Sequence, residues 1–274
     1  VSASNLTLRV VTALVASPLL LALMYLGPAW GWFLLVVGAV VVAAIELFGM
    51  THPEDKASRV ILVGSSALAT TALYFGAHDS RILVSTWIAI PIVGCLCTLG
   101  RLGQMNTAAL RLMASAAGPT YLSLLAFLAL IRKQPGGEGP GYVLMALMFA
   151  WMADSGAYFA GRAFGRTKLY EAVSPKKTRE GFVGGLMGAV VGAFLAHFWY
   201  LPSIPLGHAV ALSLVCACLG QFGDLVESLV KRSTNVKDSG HILPGHGGLL
   251  DRIDGLLFVA PLVYLYAVWF GPLG

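Results

Sequence analysis

Charge is scarce in this chain. Of 274 residues only 31 are Lys, Arg, Asp or Glu, or 11%, where ordinary soluble domains carry roughly 25%. Hydrophobic residues make up 57% and the mean hydropathy is +0.79, so a soluble globular reading is excluded. Cysteine is scarce too. Cys95, Cys97, Cys216 and Cys218 form two C-x-C pairs inside apolar runs. Without C-x-x-C spacing they read as small packing residues rather than a metal or redox site, and they imply no oxidising compartment. There is no G-x-x-x-x-G-K-[ST] run, hence no Walker A loop. The net charge of +5 forms no basic stripe but sits at segment ends and in two loops, which argues against nucleic acid as a partner. No internal repeat relates the two halves, which counts against a duplicated transporter. The first apolar run, 6–26, lacks a small-residue cleavage pattern and is expected to be a retained helix, not a removed signal peptide.

What the chain has in abundance is long apolar runs. A bilayer core of about 30 Å needs roughly 20 apolar residues of helix, and nine runs approach that length, near 6–26, 29–48, 60–77, 82–99, 112–131, 142–161, 181–200, 208–230 and 255–271. The expected fold is an all-α, polytopic integral membrane protein of about nine transmembrane helices. Gly27-Pro28 marks a tight turn, and residues 132–140, RKQPGGEGP, a polar loop. With the N-terminus cytoplasmic and the C-terminus outside, 15 of the 18 Lys and Arg residues fall on the inner side. That is the asymmetry that orients membrane proteins. Residues 1–140 are expected to be a scaffold of about five spans. Residues 141–274 would be a catalytic region with two cytoplasmic loops, 162–180 and 231–254, in a cell membrane with the site facing the cytoplasm.

Polar residues concentrate late. Residues 228–254 hold 7 of the 31 charged residues in 27 positions, a density that lipid surroundings disfavour unless it serves a site. On the eighth span Gln221, Asp224, Glu227, Ser228 and Lys231 recur at spacings of three and four and share one helix face; a structural ion pair with Lys231 is the plain alternative. Asp251 and Asp254, three apart, open the last helix, where capping explains one acid well and two poorly. With Asp224 they make a hard-oxygen set suited to Mg²⁺. Ser174, Lys176, Lys177, Thr178, Arg179 and Glu180 precede the seventh span, where exposed N–H groups and lysines favour phosphate. Asp154, Tyr158 and Arg162 recur on the sixth span; Asp154 either joins the metal site, binds a base or ribose, or pairs with Arg162. Gly247 and Gly248 offer a backbone that approaches a triphosphate closely, and His246 beside them is a general acid–base or a simple donor. His52, His78, His197 and His208 read as interfacial filler.

The stretch Ser228–Asp254, S-x-x-K-R-x(4)-K-D-x-G-x(2)-L-P-x-H-G-G-x-x-D-R-x-D, resembles the signature of the phosphatidate cytidylyltransferase (CDP-diacylglycerol synthase) family. Two further blocks are similar: Asp154 to Tyr158 with Gly161-Arg162, and Ser174 to Thr178 with Glu180-Gly181. The resemblance covers roughly residues 150–271. Arg179 departs from it, standing where many members carry an aromatic. The resemblance implies transfer of a cytidylyl group from CTP to phosphatidic acid, dependence on Mg²⁺, a second cation such as K⁺, and a homodimer. It implies metal ligation by Asp224, Asp251 and Asp254. Lys231 would act with these acids, and Lys176, Lys177, Arg232, Lys237 and Arg252 would neutralise phosphates. Asp238, Glu227 and Ser228 fall on the substrate-binding face. A CTP-dependent kinase of a polyprenol-type lipid is the nearest alternative reading, and an ion or anion transporter a more distant one.

Overall fold

The computed structural model describes residues 14, 16–134, 136–240, 242 and 247–271. Among them, eight helices are long and apolar enough to cross a membrane, matching the second to ninth expected spans. The first is represented by helix α1, Ala16–Tyr25; residues 6–13 and 15 lie outside the described residues. Helices α2 (Ala29–Thr51), α3 (Lys56–Gly76), α4 (Ser80–Gly100) and α5 (Met105–Ser123) follow. Short polar turns separate them. Pro28 stands at the N-cap of α2, Asp55 caps α3 by accepting from Ser58 N at 3.1 Å, and Asp79 caps α4 by accepting from Arg81 N at 2.8 Å.

The fifth expected span is broken. Helix α5 ends at Ser123 and α6 runs Ala126–Lys133. Across the joint, Leu124, Leu125, Phe127 and Leu128 each donate to the carbonyl three residues back, a tighter winding that keeps the backbone satisfied where lipid offers no partners. Next come α7 (Gly139–Phe164), a hairpin of β1 (Lys168–Tyr170) and β2 (Ser174–Thr178), α8 (Arg179–Leu195) with a π-helical turn at Ala196–Tyr200, α9 (Leu206–Ser233) and α10 (Leu250–Trp269). The hairpin is the addition to an otherwise helical fold. Its strands are antiparallel, pairing Lys168 with Thr178 and Tyr170 with Ser174.

The chain divides into two compact units. One holds the residues up to Leu130 together with Val236–Asp251; the other holds Ile131–Asn235 together with the residues from Arg252 on. In the first unit α2 is the core element, burying Trp32, Val36, Val40, Ala43, Leu47 and Phe48, and Phe33 stacks on Tyr74 of α3 with centroids 4.2 Å apart. One end of this unit is polar. His52 is 1% exposed, between Thr51 Oγ1 at 2.9 Å and Ser115 Oγ at 3.1 Å. Beside it Arg111 and Arg101 meet Asp55 at 3.2 and 3.5 Å. His52 is therefore no interfacial filler: burial made both ring nitrogens take partners.

In the second unit, packing rests on small residues. A Cβ at Gly156 would lie 2.3 Å from Gly184 O, and one at Gly188 would lie 2.1 Å from Met152 O, so α7 and α8 touch backbone to backbone. Ala153, Ala189 and Ala217 fill the centre. Close approach of this kind is how membrane helices gain dispersion contact without a hydrophobic driving force.

Candidate active site

The site is built on α9. Its polar face puts Asp224, Glu227, Ser228 and Lys231 in line, and Gln221 anchors the same face to α8 by donating to Phe182 O at 3.2 Å. Helix α10 crosses close by because Gly223 has no side chain: a Cβ there would meet Asp254 O at 2.9 Å and Phe258 Cδ2 at 2.5 Å. That approach brings Asp254 to the acids of α9. One ligand atom from each of Asp224, Glu227 and Asp254 lies within 4.8 Å of the others. Three hard-oxygen donors so placed fit a divalent cation.

Two lysines neutralise the cluster. Lys177 Nζ, carried by β2, lies 2.6 Å from Asp224 Oδ2, and Lys231 Nζ lies 2.5 Å from Glu227 Oε2 one helical turn away. Ser228 donates to Asp224 Oδ1 at 3.3 Å. The second of these is the ion pair that the helical spacing allowed, and the carboxylate cluster exists beside it. Asp154 on α7, Arg252, Asp254 and Gln221 line a narrow cavity of about 20 Å³ with Trp151 and Cys216, and Asp224, Lys177 and Arg252 are the charged groups felt by Asp154. Arg162 donates to Tyr158 Oη at 3.1 Å at an exposed position.

The hairpin is held by three fasteners. Thr178 Oγ1 accepts from Gly181 N at 3.1 Å, capping α8. The Glu180 carboxylate accepts from Arg166 N at 3.1 Å and Thr167 N at 3.2 Å. Arg232 Nε donates to Val173 O at 3.3 Å, tying the hairpin to α9. Glu180 thus works on backbone donors of the hairpin's entry. Ser174 and Lys176 lie on β2, with Lys176 exposed.

The remaining signature residues belong to the first unit. Asp251 Oδ2 accepts from Ser239 N at 3.1 Å, Ser239 Oγ at 3.0 Å and Gly248 N at 3.1 Å. Gly247 has φ of +82°, a left-handed conformation suited to glycine. Lys237 and Asp238 are exposed. His246 lies outside the described residues.

With this geometry in view, known proteins give the context. The model described as "Cytidylyltransferase family" matches residues 7–270. The chain belongs to the cytidylyltransferase family. Similar curated proteins carry the name phosphatidate cytidylyltransferase. The one from Bacillus subtilis (strain 168) is 46% identical over 132 residues, 48% of this chain and 49% of that protein. The one from Staphylococcus saprophyticus subsp. saprophyticus is 44% identical over 131 residues, 48% of this chain and 50% of that protein. The one from Staphylococcus aureus (strain COL) is 42% identical over 131 residues, with the same two shares. The chain thus spans about half the length of the curated relatives it matches.

Two features of this family member leave little trace in the sequence. One is the hairpin that carries Lys177. The other is Glu46 of α2, 5% exposed, whose carboxylate accepts from Leu249 N, Leu250 N and Ser239 Oγ. A signal for it existed: Glu46 is the one acid in the run 29–48, and an acid inside a membrane helix calls for a reason.

Proposed function

We propose that the chain transfers a cytidylyl group from CTP to phosphatidic acid, giving CDP-diacylglycerol and pyrophosphate. The observation that carries this reading is the carboxylate triad of Asp224, Glu227 and Asp254 with Lys177 and Lys231 on it, in a member of the cytidylyltransferase family. The names of its relatives supply the lipid substrate. A phosphate oxygen of phosphatidic acid attacks the α-phosphorus of CTP, and the bond from that phosphorus to the β-bridging oxygen breaks. Pyrophosphate departs with the electron pair. The attacking oxygen is already an anion, so the protein's work is positioning and charge neutralisation.

Mg²⁺ held by Asp224, Glu227 and Asp254 would neutralise triphosphate charge. Asp251 is carried over as a further ligand by the resemblance alone; the carboxylate cluster holds Glu227 in its place, and Asp251 Oδ2 accepts from Ser239 and Gly248. Lys176, Lys177, Lys231, Arg232, Lys237 and Arg252 neutralise the triphosphate and the lipid phosphate, and Asp238 contributes to substrate binding. Asp154, Tyr158 and Arg162 receive the nucleoside end. K⁺ serves as second cation, the enzyme works as a homodimer, and the site faces the cytoplasm of a bacterial cell. The test is incubation of the full chain in lipid nanodiscs with CTP, phosphatidic acid and Mg²⁺. CDP-diacylglycerol and pyrophosphate in equal amounts are expected. Release of CDP with a newly phosphorylated lipid would instead mark the lipid-kinase reading, and solute flux in sealed vesicles without CTP would mark a transporter.

A further inference from the structure

We propose that Glu46 is a positioning residue that holds Ser239 and residues 248–250 and, through them, Asp251. The assignment rests on the cytidylyltransferase reading for its functional half and on geometry for the rest. Glu46 Oε1 accepts from Leu249 N at 3.0 Å, and Oε2 accepts from Leu250 N at 2.8 Å and from Ser239 Oγ at 3.0 Å. Ser239 Oγ is also 3.0 Å from Asp251 Oδ2, and Ser239 N donates to the same oxygen. One serine therefore sits between the two carboxylates, its single proton serving one of them at a time. The buried carboxylate on α2 supplies acceptors to two amides at the start of α10 that the helix cannot satisfy itself.

Two glycines of the signature make room for it. A Cβ at Gly240 would lie 2.5 Å from Glu46 Oε1; one at Gly248 would lie 2.7 Å from Glu46 Oε2 and 1.9 Å from Ser239 Oγ. These positions are glycine because the Glu46 carboxylate lies flat against the loop backbone. All three interactions of Glu46 need acceptors, so an amide of the same size puts donors against donors.

The experiment compares wild type, Glu46→Gln and Gly248→Ala in nanodiscs by hydrogen exchange, thermal unfolding, and CTP:phosphatidate transfer against Mg²⁺ concentration. Expected for both variants is exchange of the Ser239, Gly248, Leu249 and Leu250 amides faster by roughly tenfold or more, the scale of a lost hydrogen bond to a charged group. The Mg²⁺ concentration for half-maximal rate should rise by a larger factor than kcat falls, with the melting temperature of the rest of the chain held. Unchanged exchange at those four amides would overturn the assignment, as would faster exchange spread over every helix. Altered exchange with Mg²⁺ dependence and kcat both unmoved would overturn its functional half. A wild type that makes no CDP-diacylglycerol sinks the transferase reading, while the exchange comparison still decides the clamp.

Discussion

Three carboxylates within 4.8 Å repel each other strongly, by about 3 kcal/mol per pair at an effective dielectric near 20. Lys177 and Lys231 offset that repulsion from two different elements. Their roles differ, because Lys231 is one turn from Glu227 on the same helix while Lys177 arrives on the hairpin. Lys177→Met is therefore expected to leave the acids under-neutralised, and added Mg²⁺ should raise its melting temperature by more than it raises that of wild type. Equal shifts would show that Lys177 is no counter-charge. Asp224→Asn should lower turnover by at least the roughly 10–100-fold that follows loss of a metal's outer-shell partner, with the protein still extracted and folded like wild type. Helical spacing puts Asp224 and Glu227 on one face of α9 and Asp254 in the first turns of α10, but it points to Asp251 as the third ligand where the cluster holds Glu227, because spacing within one helix does not say which acid of the next helix meets it. Glu46 was not legible, because its partners lie some 190 to 200 positions away in sequence and no local pattern encodes such a contact.

The hairpin shows what an element adds that a span count cannot. Strands of three and five residues, KLY and SPKKT, are too short for a period-2 pattern to stand out, and Pro175 argues against a strand. Their pairing is set by the ends: the Thr178 cap, the Glu180 carboxylate on Arg166 N and Thr167 N, and Arg232 on Val173 O. Thr178→Ala removes a cap worth about 1 kcal/mol. Trypsin should then cut at Lys176 or Lys177 roughly fivefold faster, the factor that such an energy implies, and the KM for CTP should rise more than kcat falls. Glu180→Ala should act in the same direction. Cleavage unchanged in both would mean that the hairpin is fixed by its strand pairing alone. The helices themselves were legible because each needs only length and apolarity; the break between α5 and α6 was not, since the run 112–131 stays apolar through it.

At the scale of the whole molecule, topology and pH response meet in the polar end of the first unit. Thr51 Oγ1 donates to Leu47 O at 3.0 Å, so it can only accept from His52 Nδ1. Ser115 Oγ lies 3.1 Å from Nε2 and 3.0 Å from Thr98 Oγ1, whose one proton also has Gly94 O at 3.1 Å as an acceptor. Burial first, and then the charge of Arg111, favours the neutral ring and holds the His52 pKa down to about 4. Burial pushes Asp55 up, but hydrogen bonds from Ser58 and the charges of Arg101 and Arg111 outweigh it and hold its carboxyl below the usual range. Both folded values are depressed. The His52 contribution is thus complete above its unfolded value of about 6.5 and is lost as pH falls from there towards 4. The Asp55 contribution is lost only at lower pH. The melting temperature of wild type should fall between pH 6.5 and 4.5, and His52→Gln should flatten that slope.

The same contacts bear on orientation. Asp55 follows α2, and Arg101 and Arg111 flank the turn between α4 and α5; two helices separate these turns, so alternation puts them on one side of the membrane. Glu46, near the same end of α2, holds Ser239 and Leu250, which places these two residues there as well. These are the segments that the charge count assigns to the cytoplasm, together with the hairpin. In a cysteine-free background, Lys176→Cys, Lys237→Cys and Arg59→Cys should label only from the cytoplasmic face of sealed vesicles, and Arg81→Cys and Lys133→Cys only from the opposite face. A cytoplasmic Arg81 would break the alternation on which the positive-inside asymmetry was counted, and with it the cytoplasmic placement of the residues that Glu46 holds.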